Sequence, residues 1–308
     1  MRYAVIDIGT NSVLLLIGEP DTSGKMRVVR DEAQITRLGE HLAATQCIGK
    51  KGINRTTAAI KEYIDLCREL CVTSIHLIGT EVFRRAKNTS EVLNTIRDET
   101  GCSLTILTSN NEAVYSFQSA LPETAGNREN YLVIDIGGGS TEIVLGSIAE
   151  IQFITSLAIG AVTLYEQHLH HNPPLSNELL ILQKEIKTEL NNLPKIPPVS
   201  DCIGIGGTVT TLASIHHSLA SFDRNAIEGT YLSQDTISQL LSRFITLTSE
   251  ERAQLPGMER GREDIIIAGT AVITELLAYF LLSRIRVSTR GVRYGYLQNV
   301  IQKSRGKK

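Results

Sequence analysis

The sequence predicts an α/β protein built from two related domains. Strand and helix patterns alternate along the chain, as expected for that class. The stretch VIDIGTNSVLLLIG from position 5 recurs as VIDIGGGSTEIVLG from position 133, with 7 of 14 positions identical. The length of 308 residues matches two domains at one per ~150 residues.

The elements follow in order. Val5–Ile8 and Val13–Ile17 are apolar strands flanking a glycine turn. Residues 54–71 place Ile60, Tyr63, Ile64, Cys67 and Cys71 on one helix face, with Asn54 as the N-cap. Residues 74–80 form a strand running into a turn, 89–99 a helix, 103–108 a short strand and 111–121 a helix. The polar stretch TAGNREN at 124–130 marks the seam between domains spanning 1–125 and 126–308. After the repeat strand, residues 176–193 form an amphipathic helix capped by Ser176 and preceded by Pro173-Pro174. Residues 202–215 are a strand, a glycine turn and a helix start. Residues 264–282 are an apolar helix interrupted early by Gly269, and 286–303 a strand, a turn and a final helix. That last helix, from about 295, is expected to return to the first domain.

Composition narrows the function. Hydrophobic residues make up 42% and charged residues 21% of the chain, as in a globular protein. No apolar run approaches the ~18 residues of a membrane span. The N-terminus enters a strand directly, without a signal-peptide pattern. Five cysteines with no CxxC spacing fit a reduced, cytoplasmic setting. A net charge of −2 gives no electrostatic footprint for nucleic acid. The terminal KSRGKK reads as a solvated tail.

The glycine turns carry the chemistry. A strand that doubles back through glycine gathers backbone N–H groups into a concavity that binds anions. Glycine also permits close approach and positive φ. Asp7 and Asp135 stand just before the two turns. A carboxylate beside a phosphate needs a cation between them, and Mg²⁺ fits, held by one or two carboxylates plus water and phosphate oxygens. Facing each other across a cleft, the two turns would grip one phosphoryl group. GIGGTVT at 204–210 supplies a third turn.

These motifs resemble the clan of actin, sugar kinases and heat-shock chaperones, and within it the exopolyphosphatase/guanosine pentaphosphate phosphohydrolase (Ppx/GppA) family. The resemblance rests on DIGTNS (7–12), RLGE (37–40), FRRAKN (83–88), NEA (111–113), DIGGGSTE (135–142), SLAIGAV (156–162), GIGGTVTTLA (204–213), GREDIIIAG (261–269) and VSTRGVRYGYL (287–297). It implies two ribonuclease H-like, actin-like ATPase domains with a cleft between them. It implies release of terminal phosphate from inorganic polyphosphate or guanosine pentaphosphate, with Mg²⁺ as cofactor. By motif, Glu112 matches the water-activating glutamate and Arg84 a phosphate-binding arginine. Asp7, Asp135 and Glu142 match acidic groups around metal and water. Thr10, Asn11, Ser12, Gly137, Gly138, Gly139, Ser140 and Thr141 match phosphate-loop positions, with Gly206, Gly207 and Thr208 in the third loop. A homodimer is consistent with the resemblance. No nucleic-acid or membrane partner is expected.

The chain departs from the family pattern in places. Leu14 and Thr163 stand where basic residues are common, Glu81 where a small residue is, Glu228 for histidine, and Asn111 for the first acid of a doubled pair. Arg262, Arg290 and Arg293 are candidate compensating cations. The HLHH run at 168–171 lacks an acidic or thiol partner at ligand spacing and reads as an exposed helix end. His216 and His217 read as surface. Two rivals to the hydrolase remain: a non-catalytic sensor of guanosine penta- or tetraphosphate or of polyphosphate, and an ATP-dependent kinase of the same clan.

Overall fold

Apart from Asp7, the segment Tyr3–Ile8 (β1) carries only apolar side chains, and it is buried along its whole length. Such a run suits the middle of a sheet covered on both faces. The computed structural model describes residues 1–126 and 129–305. The chain parts into two units, Met1–Ser119 joined by the segment from Val292, and Ala120–Gly291.

In the first unit β1 is followed by β2 (Ser12–Pro20), β3 (Met26–Ile35), α1 (Leu42–Thr45), α2 (Lys50–Glu69), β4 (Ser74–Gly79), α3 (Glu81–Arg85), α4 (Thr89–Thr100), β5 (Leu104–Ile106) and α5 (Ser109–Ala120). The sheet order is β3-β2-β1-β4-β5. The β1–β2–β3 meander is antiparallel, and β4 and β5 add in parallel.

The second unit runs β6 (Tyr131–Ile136), β7 (Thr141–Gly146), β8 (Ile151–Leu157), α6 (Ala161–His168), α7 (Ser176–Leu190), β9 (Asp201–Ile205), α8 (Gly207–His216), α9 (Arg224–Ile227), β10 (Tyr231–Ser233), α10 (Gln234–Phe244), α11 (Ser249–Ala253), α12 (Ile266–Tyr279) and β11 (Arg284–Val287). Its sheet order is β10-β11-β9-β6-β7-β8. Removing the edge strand β10 leaves the order of the first unit. The repeat therefore extends well beyond the matching fourteen residues. Even the irregularity is shared: the register shifts at Ile17/Gly18 and again at Leu145/Gly146, which occupy equivalent positions in the two repeats.

The last helix, α13 (Val292–Arg305), packs in the first unit. Tyr294, Leu297 and Ile301 share one face and cluster with Tyr3, Val5, Leu16, Ile78 and Leu107. Fully burying each such side chain contributes ~1.5–3 kcal/mol. Polar contacts fix the helix rotation. Arg293 Nη2 donates to Asp31 Oδ1 at 3.0 Å, and Tyr294 Oη donates to Asp31 Oδ2 at 2.5 Å. Burial pulls the Arg293 guanidinium down, but Asp31, then Tyr294 and Asp7, raise it above its ordinary value.

Several local expectations are corrected. Helix α2 begins at Lys50 with Gly49 at the cap position, a full turn before Asn54. Its helical residues end at Glu69, so Cys71 lies beyond them with φ 52° and is exposed, whereas Cys67 is buried. Gly269 does not interrupt α12. A Cβ there would lie 2.3 Å from Thr208 Oγ1, so the glycine admits α8 against an unbroken helix. The expected seam at 124–130 includes residues 127 and 128, and the expected tail includes 306–308; both sets lie outside the described residues.

Ser176 is the first residue of α7, and Leu175 takes the cap position. The capping is supplied by Glu178, which accepts from the Leu175 N–H and the His170 N–H at 2.9 Å each and from the His171 ring at 2.8 Å. The HLHH run thus meets carboxylates after all, since His168 also sits 2.6 Å from Glu185. Those acids come from α7, too far along the chain for a spacing rule to find. Burial pushes the Glu178 carboxyl up, but the bonds from His171, Leu175 and His170 outweigh it and hold it down to about 2. A depressed folded-state value contributes stability above the unfolded value of 4.5 that is lost as pH falls toward about 2. Urea unfolding should show wild type more stable than Glu178→Gln at pH 6, with the difference vanishing near pH 2.

Candidate active site

Each unit builds a glycine turn with the same local geometry. In the first, the Gly9 N–H donates to the Ser12 C=O at 2.9 Å; in the second, the Gly137 N–H donates to the Ser140 C=O at 3.0 Å. Asp7 pairs with Leu14 across the first hairpin, and Asp135 with Glu142 across the second. Side chains paired this way share a sheet face. The second hairpin therefore places two carboxylates side by side, where the first has one carboxylate and Leu14.

Neither turn has a positive-φ residue; close approach marks the second turn, whereas a Cβ at Gly9 in the first would meet Ser12 O at an ordinary 3.5 Å. A Cβ at Gly137 would lie 3.1 Å from Ser140 O, and one at Gly160 would lie 2.4 Å from Gly138 O. That closeness lets α6 cap the loop from behind. The Ala161 N–H donates to Gly137 O at 3.0 Å, and the Val162 and Thr163 N–H groups donate to Gly138 O at 2.8 and 3.1 Å. Thr163 thus carries a backbone contact to the loop. Thr141 is buried, and its hydroxyl donates to Ile159 O. Glu142 is 2% exposed, and its Oε1 accepts from Ser140 Oγ and Ser156 Oγ at 2.7 Å each.

The third turn does use positive φ. Gly206 sits at φ 92°, ψ 165°, a region essentially confined to glycine. A Cβ there would lie 2.4 Å from Ile136 O and 3.1 Å from Asp135 Oδ1. The third turn therefore packs directly on Asp135. A Cβ at Gly207 would lie 2.0 Å from Arg262 Cζ, so the Arg262 guanidinium covers that glycine. Arg262 is 9% exposed and paired with Glu259. This brings a cation to the third loop, a placement the sequence left open.

In the first unit the turn is pinned on several sides. Thr36 and Arg37 donate backbone N–H groups to Asn11 O, and Gly39 to Thr10 O. Asn11 is buried, and its Nδ2 has no hydrogen-bond partner among the described residues. A buried amide N–H is costly to leave unsatisfied, and a phosphate oxygen would satisfy it. Glu112 stands in the first turn of α5, 7% exposed. Arg84 Nη1 donates to Glu112 Oε2 at 2.7 Å and to Leu107 O at 2.9 Å. Two candidate residues 28 apart in sequence are thereby joined. Arg85 pairs instead with Glu81 at 3.0 Å.

Another departure, Glu228, also finds a structural role. Glu228 accepts from Ser288 Oγ at 3.1 Å, from the Thr289 N–H at 2.7 Å and from Thr289 Oγ1 at 2.5 Å, closing the loop after β11. Arg293 is held by Asp31 in the first unit.

The donor set can be tested against Mg²⁺. Among the described residues, no group of three or more His, Cys, Asp or Glu side chains could hold a metal ion. Asp135 and Glu142, adjacent in register, offer the one or two carboxylates that Mg²⁺ takes when water and phosphate fill its remaining positions.

Comparison with known proteins gives the family. The model of the Ppx/GppA phosphatase family matches residues 18–304. Exopolyphosphatase 2 of Mycobacterium tuberculosis is 32% identical over 286 residues, covering 89% of each protein. A bifunctional 3-dehydroquinate synthase/phosphatase of Fusobacterium nucleatum is 30% identical over 288 residues, 90% of this chain and 43% of that protein. A solved Ppx/GppA family member of Aquifex aeolicus superposes with a TM-score of 0.80 at 31% identity, covering 99% of this chain and 98% of that one.

Proposed function

The chain belongs to the Ppx/GppA phosphatase family, and from that premise we propose that it releases the terminal phosphate of inorganic polyphosphate by attack of a Glu112-activated water. The observation that carries this reading is the Arg84–Glu112 pair. It sets a buried carboxylate at a fixed position in the unit that also carries the Asp7 turn.

Phosphoryl transfer asks chiefly for positioning and charge neutralisation. We assign phosphate oxygens to the Thr10–Ser12 turn in the first unit, and to the Gly137–Thr141 and Gly206–Thr208 turns in the second. Asn11 Nδ2 donates to one of them. Arg84 orients Glu112 through Oε2, and Glu112 takes a proton from water as its oxygen bonds to the terminal phosphorus. The anhydride P–O bond breaks, and the shortened chain leaves with the bridging oxygen. Asp135 and Glu142 would hold Mg²⁺ in the second unit, and Asp7 is the equivalent carboxylate of the first. The ion would neutralise charge on the phosphate oxygens.

Phosphate release assays with tripolyphosphate, long-chain polyphosphate and guanosine pentaphosphate test the proposal. Release from polyphosphate should stop in excess chelator and return with Mg²⁺. Tight binding of guanosine pentaphosphate without turnover of any substrate would instead identify a sensor. Phosphate appearing only on an added acceptor, with ATP as donor, would identify a kinase.

A further inference from the structure

Glu81 is the unexplained residue of the first unit. It opens the five-residue helix α3, and its side chain is 9% exposed. An acid in the first turn of a helix needs no burial to compensate the dipole. Burying a carboxylate is unfavourable unless both oxygens are engaged, and both are. Oε2 accepts from Thr10 Oγ1 at 3.0 Å, and Oε1 accepts from Arg85 Nη1 at 3.0 Å.

Thr10 is the residue at the bend of the first phosphate turn. Its methyl lies so near Gly39 that a Cβ there would fall 2.4 Å from Thr10 Cγ2. With the methyl held on one side and the hydroxyl bound by Glu81 on the other, the Thr10 rotamer is set. The same short helix carries Arg84, which reaches Leu107 O and Glu112. Helix α3 is thus a bracket: residue 81 grips the turn and residue 84 grips the carboxylate assigned to activate water. The two arginines are also sorted, Arg85 to Glu81 and Arg84 to Glu112.

We propose that Glu81 is a positioning residue that couples the Thr10 turn to the Arg84–Glu112 pair, fixing the distance between bound phosphate and the attacking water. This rests on the phosphatase reading above. Glu81 touches neither phosphate nor water; it acts through Thr10 and α3.

The test uses the full-length chain with tripolyphosphate and Mg²⁺, comparing Glu81→Ala, Glu81→Gln, Thr10→Val and the Glu81→Ala/Thr10→Val double variant. Supporting and positioning contacts are typically worth ~10–100-fold. Glu81→Ala should lower kcat by that factor per folded molecule, with KM changed by less than ~3-fold. Glu81→Gln retains an oxygen that accepts from Thr10 and should recover most of the rate. The double variant should be no slower than the slower single variant, because both changes break one contact. Circular dichroism and thermal unfolding give the folded fraction. If wild type turns over and Glu81→Ala matches it within ~2-fold, or loses activity only in proportion to folded protein, the proposal is overturned alone. A wild-type chain that releases no phosphate overturns the phosphatase reading and this proposal with it.

Discussion

Replacing Glu112 by Gln is expected to cut phosphate release at least ~10²-fold while leaving affinity for tripolyphosphate within ~3-fold. The amide keeps the shape of the side chain and an oxygen for Arg84, so the α3–α5 contact survives. What is lost is the capacity to take a proton from water. A ~10²-fold loss corresponds to ~2.7 kcal/mol of transition-state stabilisation. Steady-state kinetics read the rate, and calorimetric titration of the variant reads the affinity. Equal losses in rate and affinity would mean that Glu112 serves binding and that another group handles the proton.

Gly206→Ala should lower turnover through a different cause. At φ 92°, ψ 165° an alanine is strained by ~1–3 kcal/mol. Its Cβ would also fall 2.4 Å from Ile136 O and 3.1 Å from Asp135 Oδ1. The backbone oxygen belongs to the strand that carries Asp135, so the loop must move and the carboxylate with it. The thermal midpoint of the second unit should fall by ~2–12 °C at ~2–4 °C per kcal/mol. Turnover should fall at least ~10-fold per folded molecule, because misplacement of a positioning group by about 1 Å can cost ~10². Gly229→Ala is a control for the strain term. It shares positive φ, at 80°, but a Cβ there meets nothing within 4 Å. It should lower the midpoint and leave turnover per folded molecule near wild type.

The repeat was legible in the sequence because it is local. Asp7 and Asp135, the glycines after them and the returning apolar strand lie within fourteen residues, and their pattern survives without tertiary information. Two of the strands overlooked lack a clean period. β3 alternates poorly, being rich in charge along Met26–Ile35 and nowhere fully buried. β8 is exposed or half-buried except at Leu157. The start of α7 shifted because its cap is supplied by Glu178, three residues into the capping box, and not by the Ser176 hydroxyl.

The site divides along the same line. The resemblance singled out Arg84 and Glu112 separately, yet nothing in their spacing of 28 residues revealed their hydrogen bond. Glu81 looked only like a departure from pattern, because its partner Thr10 is 71 residues away. Arg262 was one candidate compensating cation among several, and its place over the Gly207 backbone is visible only in the folded chain.

The most direct measurement is turnover of tripolyphosphate with Mg²⁺ in water enriched in oxygen-18, with no acceptor and no nucleotide present, followed by mass spectrometry of the released phosphate. Attack of water at the terminal phosphorus predicts one solvent oxygen in each phosphate released, at a rate that collapses in Glu112→Gln. Released phosphate without solvent oxygen, or labelled phosphate formed at an undiminished rate by Glu112→Gln, would contradict it.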